Sequence, residues 1–187
     1  KNFHKLNTTI VRVFNTYGNS KDNFSFIEKI IKLKKNNKYL KLINNGNSIR
    51  DFIHLDDVAK IYKFVTEKKI NSGIYDLGTG KGYLIRDIVK SISFPKSKII
   101  NTDNVNEIHN SIAKNKNLKN FLKNFEFKNL SQYFNHRLKI NIKNLKPILN
   151  FEKKIRFNGP TGVAIYGAGN AGKQVFYELK KNKEKVL

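Results

Sequence analysis

The residue whose type is most informative is Arg50, in the stretch GNSIRDFIHLDDVAKIY of a chain with five arginines and 32 lysines. A guanidinium is a rigid planar fork that holds two phosphate oxygens at once, whereas an ammonium is a mobile point charge. Arginine in a lysine-rich chain therefore indicates a position where geometry matters, and phosphate is a ligand that needs such geometry. A surface or structural ion pair, with Asp51 or Asp57 as the carboxylate, is the alternative that the residues by themselves favour.

A second candidate site is the glycine-rich stretch VAIYGAGNAGK. It places Gly167, Gly169 and Gly172 in a G-x-G-x-x-G pattern between an apolar run and the amphipathic sequence AGKQVFYELKK. The first glycine permits the bend, the second lets a phosphate approach the backbone, and the third allows close helix packing, with the helix N-terminus facing the anion. The pattern predicts a dinucleotide or nucleotide site. A tight strand-to-helix turn without a ligand is the alternative.

The elements around these residues alternate between strand and helix. Strands are predicted in TTIVRVF, YLKLIN and SGIYDL, and helices in FSFIEKIIKLKK, VAKIYKFVTEKK and LIRDIVKSI. DFIHL can be strand or loop, and Asp56 or Asp57 is a good N-cap for the helix that follows it. Alternation of this kind predicts an α/β domain. Residues 94–150 favour short amphipathic helices without a strong strand.

Composition shifts divide the chain into three parts. We expect a domain over 1–144, a linker over 145–161 that contains two of the three prolines, and the beginning of a second domain over 162–187. The formal charge is +23, but lysine and asparagine are scattered along the whole chain, as in IKLKKNNKYLKLINN. A specific nucleic-acid binder concentrates its positive charge on one face, so this pattern argues against nucleic acid as the partner.

Several absences narrow the function classes. Without cysteine the chain forms no disulfide and no thiolate metal site, and its longest apolar runs fall short of the roughly 20 residues of a membrane-spanning helix. We expect a cytoplasmic protein that binds no metal. The chain also lacks methionine and starts at Lys1, so we expect an internal piece of a longer protein whose remainder could carry a membrane anchor.

Three ordered motifs, VRVFNTYG, RDFIHLDDVA and SGIYDLGTGKG, resemble the substrate-binding half of the extended short-chain dehydrogenase/reductase family. The resemblance covers residues 8–135 and is strongest to the NAD-dependent nucleotide-sugar epimerases and dehydratases. It implies the C-terminal part of a Rossmann-like parallel sheet with a small, mostly helical substrate lobe. The stretch VAIYGAGNAGKQVFYEL is similar to the nucleotide-binding domain of the polysaccharide-biosynthesis dehydratases, which implies the first β-α unit of a second Rossmann-like domain.

The resemblance also implies the ligands and their contacts. Asn15 and Arg50 correspond to residues that contact the nucleotide-diphosphate sugar, Arg50 at the diphosphate. Val13 and Phe14 correspond to positions beside the nicotinamide of NAD or NADP, and Gly167, Gly169 and Gly172 to the second nucleotide site. The implied reaction is epimerisation or dehydration of a nucleotide sugar for surface polysaccharides, and the full-length parent could be a homodimer.

The chain departs from the family pattern at several positions. The second phosphate-binding arginine is missing from TDNVNEIHNSIAKNKNLKNFL, Lys114 stands where aspartate is common, and Asp76 stands where asparagine is common. The family's catalytic Tyr-x-x-x-Lys pair lies upstream of the matched segment. Two such spacings occur, Tyr17 with Lys21 and Tyr177 with Lys181, but about one arises by chance in a chain this rich in lysine, so we reject both.

We therefore expect the chain alone to be inactive, with no catalytic residue of its own. The alternative is a non-enzymatic basic α/β module that holds nucleic acid or another polyanion through its lysines.

Overall fold

The computed structural model describes residues 9–67, 71, 73–114, 118, 122, 124–143 and 145–150. The chain divides into two units, Lys1–Glu152 and Lys153–Leu187. All the described residues belong to the first unit. The glycine-rich stretch with Gly167, Gly169 and Gly172 lies outside them.

Strands and helices alternate along the first unit, which confirms the predicted α/β class. The strands are β1 (Thr9–Val13), β2 (Asn15–Tyr17), β3 (Leu40–Ile43), β4 (Ile49–His54), β5 (Gly73–Leu77), β6 (Lys81–Leu84), β7 (Ile99–Thr102), β8 (Asn110–Ser111) and β9 (Leu149–Asn150). The helices are α1 (Phe26–Lys35), α2 (Leu55–Glu67), α3 (Ile85–Ser91) and α4 (Leu130–Leu138), with short 3-10 turns at Asn44–Gly46 and Lys96–Lys98.

Most of the strand pairs are parallel, as expected for an α/β unit. β1 pairs with β5, β2 with β4, β3 with β7 and β4 with β8, all in parallel. β6 pairs antiparallel with both β4 and β9. One hydrophobic core lies between α1, α3, α4 and strands β3 and β4, and a second lies between α2, β4 and β5.

Helix α1 shows why the sequence folds as it does. Ile27, Ile30 and Ile31 are fully buried at the spacing predicted from the sequence. The Ser25 hydroxyl accepts a hydrogen bond from the backbone N–H of Glu28 and donates one to the carbonyl of Thr16 at 2.7 Å. Ser25 is therefore both the N-cap of α1 and the link between the helix and β2.

Glu28 in α1 is buried, with an exposed fraction of 3%, although its charge predicts an exposed position. Its carboxylate accepts bonds from the Gly18 N–H at 3.0 Å, the Tyr133 hydroxyl at 2.5 Å and the Arg137 guanidinium at 3.1 Å. Burial and the neighbouring Glu28 raise the pKa of Tyr133 to about 12. This network fastens α4 and the loop after β2 onto α1.

Substituting Glu28→Gln is expected to lower the free energy of unfolding by about 2 kcal/mol, since it removes one charge of a buried ion pair and leaves Arg137 without its carboxylate. Urea denaturation measures the change. The matched control is Glu67→Gln, because Glu67 is exposed and forms a surface ion pair with Lys63 at 3.8 Å. A loss for Glu28→Gln no larger than for this control would contradict the structural role of the network.

One expectation about the later part of the chain is wrong. Residues 94–150 were expected to lack strong strands, yet β7 pairs with β3, and β8 and β9 extend the sheet around β4 and β6. β7 is only four residues long and three of them are exposed, so it leaves little apolar signal in the sequence. Leu149 and Asn150 form β9 within the stretch predicted as linker.

Candidate functional site

Arg50 lies in β4, opposite Tyr83 of β6 and Ser111 of β8. Its Nη1 group donates to the carbonyls of Ile49 at 2.9 Å and His109 at 3.3 Å. Its Nη2 group forms an ion pair with Glu107. Burial lowers the pKa of the Arg50 guanidinium, and Glu107 opposes that change. The ion-pair alternative is thus realised with Glu107, and not with Asp51 or Asp57.

The segment that carries Glu107 is fastened to the start of β4. The same Glu107 oxygen that pairs with Arg50 accepts a hydrogen bond from the Ser48 hydroxyl at 3.0 Å. Asn104 exchanges two hydrogen bonds with Asn44, each at 2.7 Å. The Ile49 N–H donates to the His109 carbonyl at 2.7 Å. Arg50 therefore sits in a frame that several independent bonds hold in place.

Asn15, the second predicted ligand contact, lies on β2, the strand that pairs with the part of β4 just after Arg50. It pairs with Phe52 in the β2–β4 ladder, and its side-chain amide donates to the Asp51 carbonyl at 2.9 Å. Asn15 and Arg50 are thus joined through consecutive residues of β4. The assignment of both residues to the sugar nucleotide remains a prediction.

Sequence reasoning missed the importance of Asp51, which is fully buried. Its carboxylate accepts from the Thr79 N–H at 3.0 Å, the Thr79 hydroxyl at 2.5 Å, the Gly80 N–H at 2.8 Å and the Ala113 N–H at 3.2 Å. Burial raises the pKa of Asp51, while these four hydrogen bonds act in the opposite direction. The Gly78–Gly80 turn therefore surrounds a carboxylate of the protein itself.

Gly78 is required by this arrangement. A Cβ added there would lie 2.5 Å from an Asp51 carboxylate oxygen and 2.6 Å from the Ala113 Cβ. Such distances are shorter than any van der Waals contact allows, so only glycine fits. Packing against Asp51 explains the first glycine of the D-L-G-T-G motif, Gly78. The motif was the sequence signal from which a close contact at this turn could have been predicted.

Comparison with known proteins agrees with this geometry. Residues 1–78 match the family described as NAD dependent epimerase/dehydratase family. This part of the chain belongs to that family. CDP-abequose synthase of Salmonella typhimurium is 32% identical over 142 residues, which are 68% of this chain and 47% of that protein. An ADP-L-glycero-D-manno-heptose-6-epimerase of Fusobacterium nucleatum is 36% identical over 76 residues, which are 41% of this chain and 21% of the epimerase.

Solved structures agree on the fold of this epimerase/dehydratase segment. A dTDP-glucose 4,6-dehydratase from Streptomyces venezuelae with NAD bound superposes with a TM-score of 0.62 at 16% identity, covering 72% of this chain and 43% of that one. The chain therefore spans about half, or less, of the length of the relatives it matches. The family description, which names NAD, agrees with the predicted cofactor.

Two departures from the epimerase/dehydratase pattern lie next to each other. Asp76 pairs with Arg12 across the β1–β5 ladder at 2.7 Å, and its other oxygen accepts from the Lys114 N–H at 3.3 Å. Asp76 is buried, and a buried carboxylate needs a neighbouring positive charge, which Arg12 on the adjacent strand supplies. The aspartate at 76 is explained by this ion pair.

Val13 and Phe14, the residues predicted beside the nicotinamide, lie at the carboxyl end of β1. Val13 pairs with Leu77, and the Phe14 N–H donates to the Leu77 carbonyl at 3.0 Å. Ligands of open α/β sheets bind outside the carboxyl ends of the strands, so the position suits the predicted role. The side chain of Val13 is 37% exposed and accessible to a ligand.

The other candidates have structural roles. The N-cap prediction for Asp56 and Asp57 is wrong, because α2 begins at Leu55 and the ring nitrogen Nδ1 of His54 accepts from the Asp56 N–H at 3.1 Å. Asp57 is buried and accepts from the Lys128 N–H at 2.8 Å. Tyr17 is buried, donates to the Lys128 carbonyl at 3.0 Å and has a pKa that burial raises, in agreement with its rejection as a catalytic residue.

Two further features bear on ligand class. Within the described ranges, no group of three or more histidine and acidic side chains is arranged to hold a metal ion. None of the helices in the same part of the chain has both the length and the apolar character of a bilayer-spanning segment. Tyr177 and Lys181 lie outside the described residues.

Proposed function

We propose that this chain supplies the sugar-nucleotide-binding part of an NAD- or NADP-dependent nucleotide-sugar epimerase or dehydratase. The observation that carries the proposal is Arg50 in β4, with one guanidinium nitrogen fixed by two backbone carbonyls and the other already bound to an anionic group, the carboxylate of Glu107. Arg50 contacts the diphosphate, and Asn15, tied to the next residue of the same strand, contacts the sugar nucleotide. The names of the relatives, which include CDP-, ADP- and dTDP-sugar enzymes, support this ligand class.

The dinucleotide would lie at the carboxyl ends of β1 and β5, next to Val13 and Phe14. When bound, its nicotinamide would accept a hydride from a sugar carbon. The protein's part in this site is to present an apolar edge beside the ring, for which the partly exposed Val13 is suited. No residue described here is assigned to acid–base catalysis, and we expect no turnover from this chain alone.

The β1–β5 pair supports the proposal that this chain is the C-terminal part of a larger sheet. Ile10 is 50% exposed and Ile74 is 49% exposed, and the two are partners in the ladder. Parallel strands are normally buried on both faces, so a half-exposed pair of isoleucines is unusual. Further strands and helices of a cofactor-binding half would cover this face.

The remaining assignments extend the same proposal. We also propose that the parent enzyme acts in the cytoplasm on sugars for surface polysaccharides, and the names of the CDP-abequose and ADP-heptose relatives support the nucleotide-sugar part of this proposal. The domain over 1–144, the linker over 145–161 and the second nucleotide-binding domain over 162–187, with Gly167, Gly169 and Gly172 in its turn, belong to this proposal. So does a homodimer of the parent.

Isothermal titration of the 187-residue chain with CDP, ADP, dTDP and UDP tests the ligand class, with the matching monophosphates as controls. At least one diphosphate is expected to bind about tenfold more tightly than its monophosphate, because a charge-assisted contact to a second phosphate contributes about 1.5 kcal/mol. Equal affinities for every diphosphate and monophosphate would contradict the proposal. Preference for a single-stranded oligonucleotide would support the polyanion-binding alternative.

A further inference from the structure

The guanidinium of Arg50 is oriented without the help of Glu107. Both hydrogens of Nη1 are donated to backbone carbonyls, one of Ile49 in β4 and one of His109 just before β8. The donors that remain are the Nε–H and the Nη2 group, which together form one side of the fork. This is the side on which an anion can bind with two hydrogen bonds.

Glu107 occupies that remaining side with only one of its oxygens. The oxygen bound to Nη2 also accepts from the Ser48 hydroxyl, so Glu107 has a second place to bind if it leaves Arg50. The Glu107 side chain is 22% exposed, whereas that of Arg50 is 15% exposed. Both side chains are partly exposed, so solvent and a dissolved anion can reach the ion pair.

We propose that Glu107 is an exchangeable anion that takes the phosphate position on Arg50 and weakens ligand binding there. The inference rests on the proposed function, in which a diphosphate binds Arg50. An incoming phosphate displaces the carboxylate from Nη2, and Glu107 keeps its bond to Ser48. Glu107 thereby sets the affinity of the site. The carboxylate, which makes one hydrogen bond to Arg50, is replaced by a phosphate that makes two.

The charge balance at the site supports this role. Arg50 and Glu107 together carry no net charge, so a phosphate meets a neutral pair until the carboxylate moves aside. The chain as a whole carries +23, and a free arginine in that field would hold any anion. An internal carboxylate selects for ligands that can use both Nε and Nη2.

The test is titration of the full 187-residue chain and its variants with inorganic pyrophosphate, which carries the diphosphate without a base or sugar. Glu107→Gln is expected to bind pyrophosphate about threefold to tenfold more tightly than the unmodified chain. Glu67→Gln is the matched control, since it makes the same chemical change on exposed helix α2. The control is expected to change affinity less than about twofold, because exposed charges are well screened.

Unchanged or weaker binding by Glu107→Gln would overturn the proposal, since Glu107 would then position Arg50. Glu107→Ala, which also removes the carboxylate, must give the same gain, and circular dichroism verifies the fold of each variant. The gain must disappear when Arg50→Lys is added to Glu107→Gln.

The outcomes separate the two proposals. If Glu107→Gln tightens pyrophosphate binding while no nucleoside diphosphate exceeds its monophosphate, the exchange is correct and the proposed function is wrong. If diphosphates bind through Arg50 and Glu107→Gln gains nothing, the function stands and the exchange is wrong. Failure of every variant to bind either probe would overturn both.

Discussion

Replacing Asp51 with alanine should lower the free energy of unfolding by about 3–5 kcal/mol. The substitution removes the acceptor of three backbone N–H groups, those of Thr79, Gly80 and Ala113, in a region where the carboxylate is fully buried. Each buried donor left without a partner costs about 1–3 kcal/mol, and water entering the cavity offsets part of the sum. Urea denaturation followed by circular dichroism measures the change.

Asp103→Ala is the matched control, because Asp103 is exposed on the segment after β7. We expect it to change the free energy of unfolding by less than about 0.5 kcal/mol. If Asp51→Ala cost no more than Asp103→Ala, the bonds around the Gly78–Gly80 turn would contribute nothing to stability. Our explanation of the D-L-G-T-G motif would then be wrong.

The Asp51 contacts also connect stability to the proposed site. The carboxylate fixes Ala113 and the turn after β5, and the backbone carbonyl of the same residue holds the amide of Asn15. Arg50 precedes Asp51 on the strand. A less extreme variant, Asp51→Asn, is therefore expected to weaken nucleotide binding even where the chain still folds.

The α/β alternation could be predicted from the sequence because it depends on local periodicity. Helix α1 buries Ile27, Ile30 and Ile31 as the 3.6-residue spacing requires, and β3 falls on YLKLIN. The assignment of Asn15 and Arg50 to a ligand came from the resemblance to a family and not from periodicity. Their roles at a sugar nucleotide remain predictions from that resemblance.

The contacts that hold the site could not be predicted from local pattern. Asp51 reaches Ala113, 62 residues away, and Arg50 reaches Glu107, 57 residues away. From the sequence the nearest carboxylates, Asp51 and Asp57, were the natural partners of Arg50. Strand β4 alternates its side chains between two faces, so adjacent Asp51 points away from Arg50. The burial of Glu28 could not be predicted either, because hydropathy places a charged residue on the exposed face of a helix.

Replacing Arg50 with lysine is the second change with a large expected effect. Lysine retains the charge but has no planar fork, so it cannot donate to the Ile49 and His109 carbonyls and to a diphosphate in the same arrangement. We expect diphosphate affinity to fall about tenfold or more, which corresponds to at least 1.4 kcal/mol. Affinity for the monophosphate should change much less, because it needs fewer of the donors.

Arg86→Lys controls for the general effect of losing a guanidinium. Arg86 is exposed, and its recorded hydrogen bond is to the Asn47 side chain at 2.7 Å. This variant is expected to bind diphosphate as the unmodified chain does. Thermal unfolding of both variants shows whether a loss of binding reflects a loss of fold.

The central claim is that Arg50 binds the diphosphate of a nucleotide sugar, and the ratio of diphosphate to monophosphate affinity tests it most directly. The measurement is isothermal titration of the unmodified chain, Arg50→Lys and Arg86→Lys with the nucleotide pair that binds best. Our account predicts a ratio of about ten for the unmodified chain and Arg86→Lys, falling close to one for folded Arg50→Lys. A ratio that stays the same in all three proteins would contradict it.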